Sequence, residues 1–310
     1  MGLELMRRFY ELFPYPKRSI LAFPKIEKQT QAHFAFWRTP TEQNTLKSLQ
    51  QQESGQKILL CGCGTDEPSL FYFLHKNVYI EAVDLSERSL KIARRRIFFW
   101  SKVHHRAQTP KVNFHRGDAV KYVSNQKGAF HHIQCFGVLH HQKNPELLLQ
   151  GLANALKTNG TIRFMIYAHT SRQLERALQK RFSYSGEGYF QTRWQTFKLK
   201  LWKLLGVLRN KPWATHRLRY LKNNTRLFAD ALMHPSDPGL PLNSLFDLLQ
   251  KHSLQLCYVH SVCPEGSLEG FAKDAEDTWK IIENWDKRSQ LLANITFVVK
   301  KKSPTEKGLQ

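Results

Sequence analysis

Acidic side chains are in short supply. Only 25 Asp and Glu stand against 47 Lys and Arg, a formal charge of +22 on 310 residues, so the expected neighbour is a polyanion such as nucleic acid or an anionic membrane surface. Cysteine is sparse as well. The five present, two of them in Cys61-x-Cys63, make neither a disulfide framework nor a paired C-x-x-C zinc site, which points to a reducing compartment. Long apolar runs are missing: no stretch reaches about 18 uncharged apolar residues, and the opening MGLELMRR lacks the apolar core of about 7 to 15 residues found in a signal peptide. The expectation is a cytoplasmic chain without a transmembrane segment or export signal. Disorder as the main state is excluded by the 41% hydrophobic and 12% aromatic content, enough for one large core or two unequal domains.

The basic excess is concentrated. Residues 88–116 hold nine Lys or Arg and no acid, and residues 171–226 hold fourteen against two, so these segments carry +9 and +12 of the total. The first reads as a solvated helix face or as a contact for a polyanion. In the second, Tyr189, Phe190, Trp194, Phe197, Trp202 and Trp213 are interleaved with Arg193, Lys198, Lys200, Lys203, Arg209 and Lys211. That mixture suits stacked bases with neutralised phosphates, a lipid headgroup layer, or an amphipathic cover helix.

From residue 57 onward, short apolar runs alternate with segments of helical spacing. Strands are predicted at 57–61, 78–83, 111–115, 133–136, 161–167, 254–260 and 293–300. Helices are predicted at 66–75, after the cap Ser86, at 145–156 with a stop at Asn159-Gly160, at 242–251 and at 274–286, with a short turn or helix at 119–123. In the helix after Ser86, Leu90, Ala93, Ile97 and Trp100 recur at three and four residues and form one buried stripe. Strands alternating with helices imply a parallel sheet covered on both faces. The lysines at 300–302 are expected to fray.

The first strand runs straight into Gly62-Cys63-Gly64-Thr65, where glycine lets a ligand approach the backbone while the chain turns into a helix. Twenty residues after Gly64, at the end of the second strand, Asp84 is placed to accept both hydroxyls of a ribose. Asp118 and Ala119, just past the third strand, can meet an adenine edge. These positions suit a dinucleotide or S-adenosylmethionine, and the spacing separates them. A dinucleotide fingerprint wants a third glycine where Glu67 stands, and a glutamate there repels pyrophosphate. An adenosyl-amino acid carries no pyrophosphate, and its ammonium and sulfonium tolerate the acid.

At these residues the sequence resembles the class I S-adenosylmethionine-dependent methyltransferases. The matching stretches are ILLCGCGT at 58–65, AVDLS at 82–86, FHHIQCFGVLHH at 130–141 and LKTNG at 156–160, so the resemblance covers roughly residues 57–168. A narrower similarity extends to bacterial methyltransferase-domain proteins that carry a segment like YELFPYP at 10–16 and one like LMHP at 232–235. The resemblance implies an α/β, Rossmann-like fold: a seven-stranded, mostly parallel sheet with helices on both faces and an antiparallel last strand. Residues 1–54 would then form a helical N-terminal cap, 55–169 the cofactor-binding core, 170–230 a basic helical insertion or lid, 231–302 the completion of the sheet, and 303–310 a flexible tail. It further implies that Gly62, Cys63 and Gly64 line the methionine moiety of S-adenosyl-L-methionine. Asp84 and Leu85 would hold the ribose, Asp118 and Ala119 the adenine, and Phe136 and Gly137 the floor near the sulfonium. Three positions depart from the family pattern: Leu60 and His131 stand where relatives place acids, and Asp66 stands where they place a third motif glycine.

Transfer from a sulfonium is an in-line displacement, so the protein mainly aligns nucleophile, methyl carbon and sulfur, and no universal catalytic residue is needed. A base helps when the acceptor carries a proton, and His140, His141 and Tyr167 are candidates. The 14 histidines include adjacent pairs at 104–105, 131–132 and 140–141, yet none shows the helical i, i+4 spacing with further ligands that zinc needs, so no metal is expected. Two functional readings stand: methyl transfer to an acceptor that is more readily anionic, such as RNA reached through 88–116 and 171–226, or a catalytically idle scaffold that binds RNA or protein. Peripheral membrane contact through the same segments is the lesser expectation.

Overall fold

The computed structural model describes residues 2–16, 19–24, 55–104, 109–186, 194, 197–198, 201, 225–263, 266–271, 274–291 and 294–302. In chain order the elements are α1 (Gly2–Leu12), β1 (Lys57–Cys61), α2 (Glu67–Leu74), β2 (Tyr79–Asp84), α3 (Glu87–Val103), β3 (Lys111–Arg116), α4 (Ala119–Ser124) and β4 (Phe130–Phe136). A single 3-10 turn at Leu139–His141 leads into α5 (Pro145–Ala155), β5 (Leu156–Ile166), α6 (Gln173–Phe182), α7 (Thr225–Leu232), α8 (Leu242–Lys251), β6 (Leu254–Cys263), β7 (Gly266–Phe271), α9 (Ala275–Lys287) and β8 (Ile295–Lys301).

The sheet order is β3-β2-β1-β4-β5-β8-β6-β7. β1 to β5 pair in parallel, and β8 inserts antiparallel between β5 and β6. The expected seven strands are all present, six running one way and the last running against them. An eighth was not foreseen: β7 folds back on β6 as an antiparallel edge strand. Alternation sets the two faces. Leu59 and Cys61 point into one core with Ile133, Cys135, Ile162 and Phe164, while Ile58 and Leu60 point into the other with Phe71, Ile80 and Leu90. Each such fully buried side chain contributes about 1.5–3 kcal/mol relative to exposure.

Local chemistry fixes the helix starts. Ser86 accepts from the Ser89 amide at 3.1 Å to cap α3, Asp118 accepts from the Val120 amide at 3.0 Å to cap α4, and Asn144 accepts from the Leu147 amide at 3.3 Å to cap α5. The predicted stop at Asn159-Gly160 is corrected. α5 ends at Ala155, and both residues lie within β5, with Asn159 at φ +63° beside an irregularity in the β4–β5 register. The lysine end is corrected too: Lys301 belongs to β8, and its ammonium donates to Ala153 O at 2.7 Å and Leu156 O at 3.1 Å.

α1 packs against α6 and α7. Phe9 of α1 is buried among Leu178 of α6, Tyr184, and Ala229, Leu232 and Met233 at α7. α1 is also tied to the core, because Glu11 accepts from the Glu87 amide at 2.7 Å at the start of α3, where a negative charge meets the helix dipole. The expected stripe on α3 needs revision. Leu90 and Ala93 are fully buried, Ile97 and Trp100 only partly, and Ser89 and Arg96 are buried beside them. Most of the basic insertion, including Tyr189, Phe190, Arg193, Lys200, Trp202, Lys203, Arg209, Lys211 and Trp213, lies outside the described residues, as do His105 and the tail at 303–310.

Candidate functional site

A cavity of about 590 Å³ lies at the carboxyl ends of β1, β2, β4 and β5, where the strand order reverses. Open parallel sheets place their ligands at this point. Gly62, Cys63, Gly64, Asp84, Leu85, Asp118, Ala119, Phe136 and Gly137 all line it. The turn cannot accept larger residues. Gly62 and Gly64 have φ of +69° and +57°. A Cβ on Gly62 would run into Val138 Cγ2, and one on Gly64 would stand 2.6 Å from Tyr15 O.

Asp84 is held by this turn. Its Oδ2 accepts from the Gly64 amide and its Oδ1 from the Ser86 amide, each at 2.8 Å. Each carboxylate oxygen retains capacity for a further donor, as a vicinal diol requires. Burial pushes its pKa up to about 6 despite the two amides, so the carboxyl is ionised at neutral pH. The glycine cradle and the diol acceptor fit S-adenosylmethionine.

A second cluster closes the end of the cavity beneath α1 and α7. Tyr10 and Tyr167 donate to the two oxygens of Asp230 at 3.1 and 3.0 Å. His234 Nε2 meets the Tyr10 hydroxyl at 3.1 Å, while its Nδ1 accepts from the Ser236 amide at 3.2 Å, so Nε2 carries the proton. His141 is reversed. Its Nδ1 donates to Ser236 O at 2.7 Å, which leaves Nε2 as an acceptor on a ring that lines the cavity and stacks on His234 at 3.7 Å between centroids. Burial holds the pKa of His141 below its ordinary value, so the ring is neutral at pH 7.

The three candidate bases separate on this geometry. Tyr167 lines the cavity, but burial and Asp230 hold its phenol well above the ordinary range, and it stays protonated. His140 is buried against Tyr167 at 4.1 Å, off the cavity wall. His141 alone of the three presents a basic lone pair on the wall.

Each departure from the family pattern has a structural partner. Leu60 is buried in the core beside α2. His131 accepts from the Lys57 amide at Nδ1, 3.0 Å away, and its Nε2 lies 3.1 Å from Lys157 Nζ. Asp66 pairs at 2.8 Å with Arg96, whose side chain is wholly buried and also donates to Ser19 O and Ala22 O. Two more members of the 88–116 run have internal partners: Arg88 donates to Glu11 O at 3.0 Å, and Arg94 pairs with Glu87 at 3.0 Å and covers the Phe114 ring. Sequence reasoning gave no role to Tyr10, Asp230 or His234, although Tyr10 and His234 belong to the two flanking segments of the narrower similarity. Among the described residues no helix is long and apolar enough to cross a membrane, and no group of three or more His, Cys, Asp or Glu is placed to hold a metal.

A family model described as a methyltransferase domain matches residues 31–202. An uncharacterized protein of Synechococcus is 27% identical over 179 residues, which span 57% of this chain and 40% of that protein, so the chain matches well under half the length of this relative. Among solved structures, PKMT2 from Rickettsia typhi is 14% identical with a TM-score of 0.53, over 82% of this chain and 51% of that one. A phosphoethanolamine N-methyltransferase of Haemonchus contortus, solved with S-adenosylhomocysteine, is 14% identical with a TM-score of 0.43, over 97% of this chain and 57% of that one. The chain belongs to the methyltransferase-domain family, with the class I S-adenosylmethionine-dependent fold.

Proposed function

We propose that this protein transfers the methyl group of S-adenosylmethionine to an acceptor whose nucleophile lies against His141. The observation that carries the reading is one cavity lined both by Asp84, held by the Gly64 amide, and by His141, whose Nδ1 is engaged by Ser236 O. The cofactor supplies an already activated methyl on a sulfonium. Gly62, Cys63 and Gly64 cradle its amino-acid side, Asp84 and Leu85 hold the ribose, Asp118 and Ala119 border the adenine, and Phe136 and Gly137 floor the sulfonium region. Alignment is the main contribution.

His141 takes the acceptor's proton at Nε2 while its Nδ1–H stays on Ser236 O, which fixes the tautomer. Leu3 and Met6 of α1 add apolar wall to the same cavity. A cavity of this size fits a small molecule or one group projecting from a larger one, such as a base turned out of its stack.

An RNA acceptor is the reading favoured by the basic insertion. There Trp194 and Phe197 are exposed and stacked at 5.5 Å, with the Lys198 ammonium 5.4 Å from the Trp194 ring. Such a surface binds single strands by stacking and charge. The cytoplasm is the proposed location, since Cys61, Cys63, Cys135 and Cys257 are free thiols. The test is transfer of labelled methyl into cell extract, divided into nuclease-treated, protease-treated and small-molecule fractions, with Asp84→Ala as control. Loss of Asp84-dependent label after nuclease alone supports RNA. Label in another fraction reassigns the acceptor, and cofactor binding without any transfer supports an idle scaffold.

A further inference from the structure

The cluster of Tyr10, His141, Tyr167, Asp230 and His234 turns its protons inward. All five residues line the cavity, and all but Tyr10 are buried. Both phenols donate to Asp230, Tyr10 at 3.1 Å and Tyr167 at 3.0 Å, and His234 Nε2 donates to the Tyr10 oxygen at 3.1 Å. The Nδ1 proton of His141 goes to Ser236 O at 2.7 Å. Each of these four protons is already held within the protein. What remains to a ligand is a set of lone pairs, on the Asp230 carboxylate, the Tyr167 oxygen and His141 Nε2, that can only accept.

We propose that this set of acceptors selects, as the group to be methylated, an amino group carrying at least two hydrogens. The inference rests on the proposed methyl transfer and names the atom that receives the methyl. An amino group answers two of the acceptors at once, whereas a hydroxyl or thiol brings one proton and answers only one. A carboxylate or phosphate oxygen brings none and meets lone pairs alone. In the RNA reading the group is the exocyclic amine of a base turned into the cavity.

The surroundings reinforce the selection. Burial raises the pKa of Asp230 above its ordinary value against the pull of His141, the two phenols and Arg172, and a donor from the ligand favours its charged form. Arg172 covers the Tyr167 ring at 3.6 Å and reaches toward Asp237 at 3.9 Å, but it does not line the cavity and offers the ligand no donor there. The nitrogen lone pair forms the bond to the methyl carbon as the carbon–sulfur bond breaks, and the electron pair of that bond stays on sulfur. The surplus proton on nitrogen passes to His141 Nε2 and then to solvent. Hydrogen bonds donated by the amine polarise it toward this attack.

The experiment locates the methyl group. The extract fraction that takes Asp84-dependent label is digested to monomers, and tandem mass spectrometry reads the modified atom. An amino nitrogen is the expected result, in RNA or in another fraction. Methyl on oxygen, sulfur, carbon or a ring nitrogen overturns the inference and leaves methyl transfer intact, whereas cofactor binding without any transfer overturns both. The same fraction then serves as substrate for the full chain carrying Asp230→Asn or Tyr167→Phe. Each variant should raise its KM about tenfold or more and hold S-adenosylhomocysteine affinity within about twofold by calorimetry, which also shows that the variant is folded. An unchanged KM in both variants would contradict selection by this cluster.

Discussion

Arg96 and Asp66 meet at 2.8 Å with both side chains almost fully buried, joining the middle of α3 to the residue that opens α2. The guanidinium also donates to the carbonyls of Ser19 and Ala22, so it pins the chain that follows α1. Breaking a buried pair leaves its partner's charge uncompensated, which is worse than losing both charges. Arg96→Met should therefore destabilise the protein by about 3–5 kcal/mol in urea unfolding, and Arg96→Met with Asp66→Asn should recover part of the loss. An Arg96→Met protein as stable as wild type would remove the pair from the account.

Asp84 sets the pH dependence of cofactor binding. Its pKa of about 6 means the carboxylate is lost as pH falls through that value, and with it an acceptor for the ribose hydroxyls. Affinity for S-adenosylhomocysteine should be level near about pH 8 and drop progressively below about pH 6, while Asp84→Asn binds weakly at both. Calorimetric titration across that range checks the slope.

His141 should limit the chemical step when the acceptor carries a proton. His141→Asn should lower kcat by about 10²–10⁴ with little change in cofactor affinity, since the ring sits at the acceptor end. At saturating cofactor, the acid limb of the rate should lie below the ordinary histidine value of about 6.5, because burial disfavours the imidazolium. His140→Asn has no route to the same rate profile from behind the wall. A saturated rate that is independent of His141 would return the base to solvent.

Glu67 carries a stability cost that pH exposes. In the unfolded chain it ionises in the ordinary carboxylate range near 4.5, but in the fold only near about 8, so stability falls as pH rises between those values and then levels. Glu67→Gln removes this slope. The ligand-free variant should match wild type most closely in acid and melt higher at about pH 9, by about 2–4 °C for each kcal/mol recovered. Parallel melting profiles for the two proteins would mean that the carboxyl is not strained by burial.

The parts of this fold that are local in sequence were legible in it. A strand, a glycine turn and an acid twenty residues on are fixed by chain geometry, so Gly62, Gly64 and Asp84 could be brought together from spacing alone. Tyr10 and His234 hydrogen-bond across 224 positions, and Asp230 reaches Tyr10 and Tyr167 from α7. No period links such residues. Arg96 was read as part of a solvated or polyanion-binding run, because a helix pattern treats arginine as outward-facing, and only the position of Asp66 turns it inward. Similarly, β7 has the sequence GSLEGF, whose two glycines and single branched side chain give no alternation to read, so its pairing with β6 emerged only from the sheet.

The central claim is that the cavity binds S-adenosylmethionine through Asp84 and passes its methyl group to an acceptor at His141. Its most direct test is the amount of labelled methyl that the wild-type chain, Asp84→Ala and His141→Asn transfer into the same fractionated extract. The account predicts label with wild type, none with Asp84→Ala, and a strongly slowed rate with His141→Asn at unchanged cofactor affinity. Equal labelling by wild type and Asp84→Ala would contradict it.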